Sequence, residues 1–365
     1  MASTEPKQTG GKRIGRGRYG CVFDPPLLCV KKTKKPGQNH LVGKLTNKED
    51  ADKEFSISET LRTIPDATRY FILIEDSCVP KPRAQQTEPD LNKCYIAEGE
   101  KYNSMVQLIM PYGGKTLQSI PKRANNLDFF AIGQHLLEAG TYLLLKGIVH
   151  MDLHLQNIVT LNPFTPKILD FGAAYKAREL TALTYRQVLR SYNPAVVQEA
   201  PEMTVINALE SNVPESVAIA AIGQYKDVVG FVTGVSNLSK EEQLYQLRKF
   251  LHSSASYHQR NWLSFFQIYW SKVDAWGIGS LLLYLFTYLS MAPAFKSSQV
   301  VQDKTPVAIQ VMTGLCNMDA GLRLDCAEAL ALWAPESKVL KQQEVQAWLA
   351  NAAKQRAALQ AKTSS

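Results

Sequence analysis

The 365-residue sequence has six cysteines, and none of them forms a Cys-x-x-Cys pair. No Cys/His cluster has the ligand spacing of a zinc site, so zinc-finger and ribbon chemistry is excluded. Cys21, Cys29, Cys78, Cys94, Cys316 and Cys326 are scattered, which reads as a reduced intracellular protein with free thiols. The segment Met1 to Gly11 is polar, lacks the apolar stretch of a secretory signal and is expected to be a disordered tail. No internal repeat occurs, which excludes solenoids and propellers. One charge-free run, Ala275 to Phe295, is long enough to suggest a membrane span. Gly277, Gly279, Ser280, Thr287, Ser290 and Pro293 dilute its apolarity, so a buried core helix is expected and a membrane span is not.

What is present is a hydrophobic content of 45%, enough for one large domain or two lobes with their own cores. The net charge is +8, partly from Lys31, Lys32, Lys34 and Lys35. Pro36-Gly37 follows at once, and no aromatics interleave the lysines. The run therefore reads as a solvated loop, and no specific nucleic-acid contact is expected.

Lys12 to Phe23 reads as strand, glycine-rich turn and strand; Leu41 to Leu45 is a short apolar strand carrying Lys44. Lys48 to Ile64 has helical spacing, with Phe55, Ile57, Leu61 and Ile64 apolar. Tyr70 to Ile74 and Val106 to Met110 are further strand candidates, and Pro80 to Asn92 reads as a loop. From Leu127 onward the chain is mostly helical. Phe129 to Lys146 is apolar all round, and Ile148-Val149 and Ile158-Val159 fit short strands. Ser239-Lys240-Glu241-Glu242 fits a capping box ahead of Leu244, Leu247 and Leu251. Trp262, Phe265, Phe266, Tyr269 and Trp270 read as core packing of added helices, with an interaction face as the alternative. Glu344 to Leu359 is helical, with a frayed end over Gln360 to Ser365. The expected division is a tail (1–11), a strand-rich lobe (12–112), a helix-rich lobe (113–337, with 203–271 as an insert) and a C-terminal helix and tail (338–365). The fold class is α+β and bilobal.

Four motifs carry chemistry. Gly15-Arg16-Gly17-Arg18-Tyr19-Gly20-Cys21-Val22 has the form G-x-G-x-x-G-x-V, in which glycines let backbone N–H groups approach phosphate. Strand residues follow the glycines where a dinucleotide fold would place a helix, which favours a flap over ATP. Lys44 is the candidate phosphate ligand. Glu54 and Glu59 compete to hold it: Glu54 has apolar neighbours that put it on the inward face, and Glu59 has the more usual spacing. His150-Met151-Asp152-Leu153-His154-Leu155-Gln156-Asn157 is followed by Asp170-Phe171-Gly172. This set reads as a phosphotransferase centre, with Asp152 placed to take a proton from a hydroxyl and Asn157 and Asp170 to hold magnesium.

With these residues the chain resembles the eukaryotic-type protein kinase family over about Ile14 to Leu332. Ala200-Pro201-Glu202 is similar to the family's Ala-Pro-Glu, and Asp274-Ala275-Trp276-Gly277-Ile278-Gly279 to the opening of its central buried helix. Asp319 and Arg323, followed by Ala327-Glu328-Ala329-Leu330, are similar to its late arginine motif. The resemblance implies a bilobal kinase fold, a Glu202–Arg323 pair and an Asp274 that holds the catalytic loop. It implies Met110 as gatekeeper, a hinge through Tyr112, and adenine enclosed by Val22, Val42 and Val159, with Ile14, Gly15, Gly17 and Gly20 above the nucleotide. The implied activity is ATP- and Mg2+-dependent transfer of phosphate to protein serine or threonine.

The departures carry their own expectations. Met151 stands where the family has an arginine that pairs with a phosphorylated activation loop, which suggests independence from that phosphate. His154 stands in place of a lysine near the γ-phosphate; as an imidazole it would titrate near physiological pH. The threonine usual before Ala-Pro-Glu is missing, with Ala195-Val196-Val197 in that region, and Gly43 replaces a bulky residue. The combination is most similar to the kinases of nucleocytoplasmic large DNA viruses, implying a viral protein acting in host cytoplasm or virion. His154 also suggests an alternative, a small-molecule alcohol kinase of the aminoglycoside or choline type. A pseudokinase scaffold working through the 203–271 insert, with a protein partner there, is a third reading.

Overall fold

The computed structural model describes residues 11–17, 20–31, 40–86, 89–95, 99–121, 127–162 and 164–363. The expected tail (apart from Gly11), most of the lysine-rich loop, and Arg18 and Tyr19 of the glycine turn lie outside them. The chain forms two compact units. One holds the described residues up to Gly114 together with Leu169–Gly172; the other holds Lys115–Ile168 and the residues from Ala173 onward.

The first unit is an antiparallel sheet backed by a helix. Its strands are β1 (Lys12–Gly17), β2 (Gly20–Asp24), β3 (Leu41–Asn47), β4 (Asp76–Cys78) and β5 (Met105–Pro111), in the order β1-β2-β3-β5-β4. Helix α1 (Lys48–Arg62) follows β3 directly, its first turn capped by the Asn47 side chain on the Asp50 N–H. Register decides which side chains share a face. Val22 stands opposite Lys44 and Lys44 opposite Leu108, while Val42 stands opposite Met110, so all five share one face. Cys21, Leu45 and Gln107 lie opposite one another on the other face, where Cys21, Phe23, Leu27, Leu45, Leu91, Cys94, Tyr102 and Met105 form a core.

That second face explains Gly43. A Cβ there would sit 2.2 Å from the Gln107 Oε1 atom. Gln107 cannot move away, because its amide accepts from the Leu27 N–H at 2.8 Å and donates to the Leu27 carbonyl at 2.9 Å. The bulky residue is excluded by a buried amide that holds the turn after β2.

Two expectations fail in this unit. Tyr70–Ile74 is not a strand: Tyr70 ends a short helix α2 (Ala67–Tyr70), and Ile72, Leu73 and Ile74 are buried without joining a ladder. Side chains of α1 replace the ladder, since the Ile74 N–H donates to Ser58 Oγ at 2.9 Å and its carbonyl accepts from Arg62. A short apolar run looks the same whether a sheet or a helix side satisfies its backbone. The free-thiol reading also fails for four cysteines. Cys21 is bonded to Cys94 and Cys29 to Cys78, across 73 and 49 residues, whereas Cys316 and Cys326 are free and buried. The sheet brings these pairs together, and local spacing carries no trace of it. The cysteine pattern therefore gives no support to a reducing compartment.

The second unit is mostly helical. A short antiparallel sheet of β6 (Lys115–Thr116), β8 (Ile158–Thr160) and β9 (Lys167–Ile168), and a two-stranded pair of β7 (Ile148–Val149) with β10 (Tyr175–Lys176), carry the loops. Helix α3 (Phe129–Leu145) is buried on nearly every side. The expected insert forms α4 (Pro201–Glu210), α5 (Glu215–Tyr225), α6 (Asp227–Val235), α7 (Lys240–Ser253), α8 (Ala255–His258) and α9 (Trp262–Tyr269). The capping box at Ser239 and Glu242 is formed. Trp262, Phe265 and Phe266 are buried, and Phe265 packs against Phe250 and Tyr269, so these rings are core. The apolar run becomes α10 (Val273–Leu289), a buried helix. No helix among the described residues is long and apolar enough to cross a membrane. After it come α11 (Pro293–Lys296), α12 (Gln299–Leu315), α13 (Cys326–Trp333) and α14 (Gln343–Thr363). Helix α14 runs through Thr363, beyond the fraying expected from Gln360.

Arg356 fastens α14. It donates to the Glu328 carboxylate and to the carbonyls of Leu322 and Arg323. Partial burial raises the Glu328 pKa, but Arg356 and Lys272 outweigh it and bring it to about 2. The folded pKa is depressed, so the stabilisation is full above the ordinary value of 4.5 and is lost as pH falls towards 2. Arg356→Ala should cost about 1–3 kcal/mol at pH 7. Melting curves of the two proteins should converge as pH falls through that window; a gap that persists unchanged at its acid end contradicts the pair's role. For the first unit, non-reducing peptide mapping should recover Cys21 linked to Cys94 and Cys29 linked to Cys78. Reduction should lower stability by about 2–4 kcal/mol per bond; four alkylatable thiols in the native protein would refute both bonds.

Candidate active site

In the first unit, Lys44 is 6% exposed and points from the shared face of the sheet. Its ammonium lies 2.6 Å from Glu54 Oε1 and 2.7 Å from Asp170 Oδ1. Burial alone would strip Lys44 of its proton, but the two carboxylates outweigh it and push its pKa above the ordinary value. Burial also pushes Glu54 up, against the pull of Lys44. Glu59 is turned away and pairs with Arg62 at 2.9 Å, so Glu54 is the partner of Lys44. Asp170 has a positive φ of 66°, a strained conformation for a residue with a side chain, and Lys53 donates to the Gly172 carbonyl at 3.0 Å.

The remaining first-unit candidates surround this group unevenly. Val22, Val42 and Met110 share the Lys44 face, and Gly15 stands opposite Val22. A Cβ on Gly20 would lie 2.5 Å from the Leu45 carbonyl, so only glycine fits beside β3. Gly17 pairs with Gly20. Ile14 falls in the bulge between Arg13 and Gly15 and is half exposed. Tyr112 stacks on His40, with ring centroids 4.7 Å apart.

In the second unit the catalytic-loop candidates lie between β7 and β8. Asp274, buried at the start of α10, accepts the His150 N–H at 2.6 Å and the Met151 N–H at 3.0 Å. That pair of bonds holds Met151 at a φ of 69°. Asp152 follows with its carboxylate in a web of donors. Gln198 Nε2 donates at 2.8 Å and Asn157 Nδ2 at 3.3 Å; His154 Nε2 stands 3.5 Å away and Arg190 3.8 Å away. Partial burial opposes its charge, but the bonds from His154 and Gln198 and the charge of Arg190 prevail. They hold Asp152 well below the usual carboxylate range, as an ionised acceptor. The Gln156 N–H donates to His154 Nδ1 at 3.2 Å, so a neutral His154 carries its proton on Nε2, facing Asp152.

Asn157 is buried and gives both of its amide bonds through Nδ2, to the Asp152 carbonyl and carboxylate. Its amide oxygen is the atom that could meet a hard cation, as could the carboxylate of Asp170 in the first unit. Among the described residues no cluster of three or more His, Cys, Asp or Glu could hold a metal, so protein ligation alone would be sparse. Val159 is buried on β8 of this unit, opposite Lys167.

The implied Glu202–Arg323 pair is formed with both residues fully buried, by two parallel bonds of 2.7 and 2.8 Å. Sequence reasoning missed Gln198 and Arg190. Gln198 follows the apolar Ala195-Val196-Val197 where the usual threonine is missing, and that was an available signal. It also missed a cavity of about 400 Å³ lined by His154, Gln198, Gln118, Val197, Phe231 and Tyr284 among others.

The chain matches no protein-family model and no curated protein sequence. Asp274→Ala should strand two buried N–H groups at about 1–3 kcal/mol each. A variant that melts like the wild type would show that the loop does not depend on this carboxylate.

Proposed function

We propose that this chain is a protein kinase that transfers the γ-phosphoryl group of ATP to serine or threonine hydroxyls. The observation that carries the reading is the Lys44 group. Two carboxylates converge on its buried ammonium: Glu54, ten residues away, and Asp170, 126 residues away. An ion pair serving stability alone would not need a strained Asp170 beside a glycine-rich strand pair.

In this reading Lys44, held by Glu54, neutralises and orients the ATP phosphates, and glycine backbone N–H groups approach them closely. Asp152, kept ionised by its donors, accepts the proton of the attacking hydroxyl, so the oxygen becomes nucleophilic as the proton leaves. His154 places an Nε2–H beside that carboxylate. The Asp170 carboxylate and the Asn157 amide oxygen, each in its own unit, are the groups that would ligate magnesium, which when bound screens the phosphate charge. Arg190, whose backbone N–H is held by the Asn207 side chain, stands 3.8 Å from Asp152, and this supply of a cation by the chain itself supports independence from activation-loop phosphorylation. The likeness to kinases of large DNA viruses rests on the sequence motifs, and a viral setting is proposed on that ground.

Full-length protein incubated with γ-labelled ATP, magnesium and dephosphorylated casein should label serine or threonine. Asp152→Asn should lower kcat by roughly 10²–10⁴, and Asp170→Ala and chelation of magnesium should abolish labelling. Label found only in kanamycin or choline, included as competing acceptors, would replace the reading with a small-molecule kinase. No magnesium-dependent transfer at all would leave a scaffold.

A further inference from the structure

The inserted helices turn a lysine inward where α5 gives way to α6. Lys226 is 2% exposed, and its ammonium donates to the backbone carbonyls of Val196 and of Glu199, the latter at 2.9 Å. Those carbonyls bracket Val197 and Gln198. The Val197 carbonyl is held from the other side by the Trp276 indole N–H of α10 at 2.9 Å. Gln198, thus fixed, is the residue that donates to Asp152 at 2.8 Å.

The contacts close into a ring. The Glu199 carboxylate accepts from Thr204 Oγ1 at 2.7 Å and from Asn207 Nδ2 at 3.0 Å, both on α4. The Asn207 Oδ1 atom accepts the Arg190 N–H at 2.9 Å, and the Arg190 guanidinium returns to Asp152. A buried lysine with this geometry is costly, and an apolar residue would pack the same helix junction without the desolvation penalty. What an apolar residue could not do is hold two carbonyls of one loop.

We propose that the insertion is an internal clamp, in which Lys226 fixes the loop 196–199 and so aims Gln198 at the catalytic carboxylate of Asp152. The proposal rests on the phosphotransfer reading. Lys226 and Gln198 act as positioning residues: one holds the loop, the other the base. The chain thereby carries in its own insertion the ordering that other enzymes of this type obtain by modification.

Burial pushes Lys226 down to about 8, against the fields of Glu199 and Glu202, and Glu202 is itself paired with Arg323 while Arg190 faces Glu199. As pH rises through that value the ammonium loses its charge and its hold on the carbonyls weakens. Activity should then fall through the same range, while an arginine at this position would keep its charge.

The test uses the full-length chain with casein and ATP, comparing wild type, Lys226→Met, Lys226→Arg, Gln198→Ala and the Met/Ala double variant. Lys226→Met and Gln198→Ala should each lower kcat roughly tenfold or more, since small misplacement of a base is expensive, with KM for ATP little changed. The double variant should fall no lower than the worse single one, because both break one link. Lys226→Arg should recover most of the lost kcat and flatten the alkaline limb of the pH profile. Wild-type kcat in Gln198→Ala overturns the proposal, even where Lys226→Met fails to fold. So does a Lys226→Met defect confined to melting temperature, with kcat unchanged. A wild-type chain that transfers no phosphate overturns the functional reading itself, before any variant is compared.

Discussion

In the second unit, the loop from His150 to Asn157 depends on one buried carboxylate. Asp274 has been taken out of water at the head of the most buried helix in the chain, and burial pushes its pKa up. A charge in that position persists only if hydrogen bonds replace its hydration. The donors are the backbone N–H groups of His150 and Met151, and supplying them forces Met151 into the left-handed region. That twist directs the chain so that Asp152 turns towards Gln198 and Arg190. The strain, of order 1–3 kcal/mol for such a residue, is stored where the loop needs a fixed direction. The helix that binds it is also the apolar run that could have been mistaken for a membrane span.

The first unit solves a similar problem with the signs reversed. There the desolvated group is a cation, Lys44, and two carboxylates stabilise it, one from α1 and one from the strained Asp170. In each unit a buried ion is satisfied by at least one group more than 100 residues away, and each is bonded to a residue with positive φ. Buried ions are poor sources of stability compared with apolar packing. Their survival in both units is better explained by what they orient than by what they stabilise.

Much of this could be read from residues alone. Glu54 was distinguishable from Glu59 because Ile57 and Leu61 define an inward face, which Ala51 and Ser58 complete; Phe55, read as part of that face, is exposed instead. The Glu202–Arg323 pair and the Ser239 capping box were legible because a motif or a fixed local spacing carries them. The disulfides were not, since pairing across 73 and 49 residues is decided by sheet register. Tyr70–Ile74 was misread because burial, not period, governs it. Lys226 was invisible for a further reason: a lysine in a helical region is ordinarily solvated, and only the closure of the insert around it makes it a donor to two carbonyls.

The missing arginine before Asp152 then has a structural counterpart. An arginine at 151 would need a side chain reaching an anion outside, whereas Met151 is 4% exposed and packs inward, making no polar demand. The cation near Asp152 comes instead from Arg190, whose backbone N–H is held by the Asn207 side chain. A backbone held by a protein amide places its guanidinium with groups of the chain itself. The substitution at one position and the inward lysine at another are thus two parts of one arrangement. The loop before Ala200-Pro201-Glu202 is ordered by groups that the chain always carries, and the cost is a set of buried charges that must all be satisfied at once.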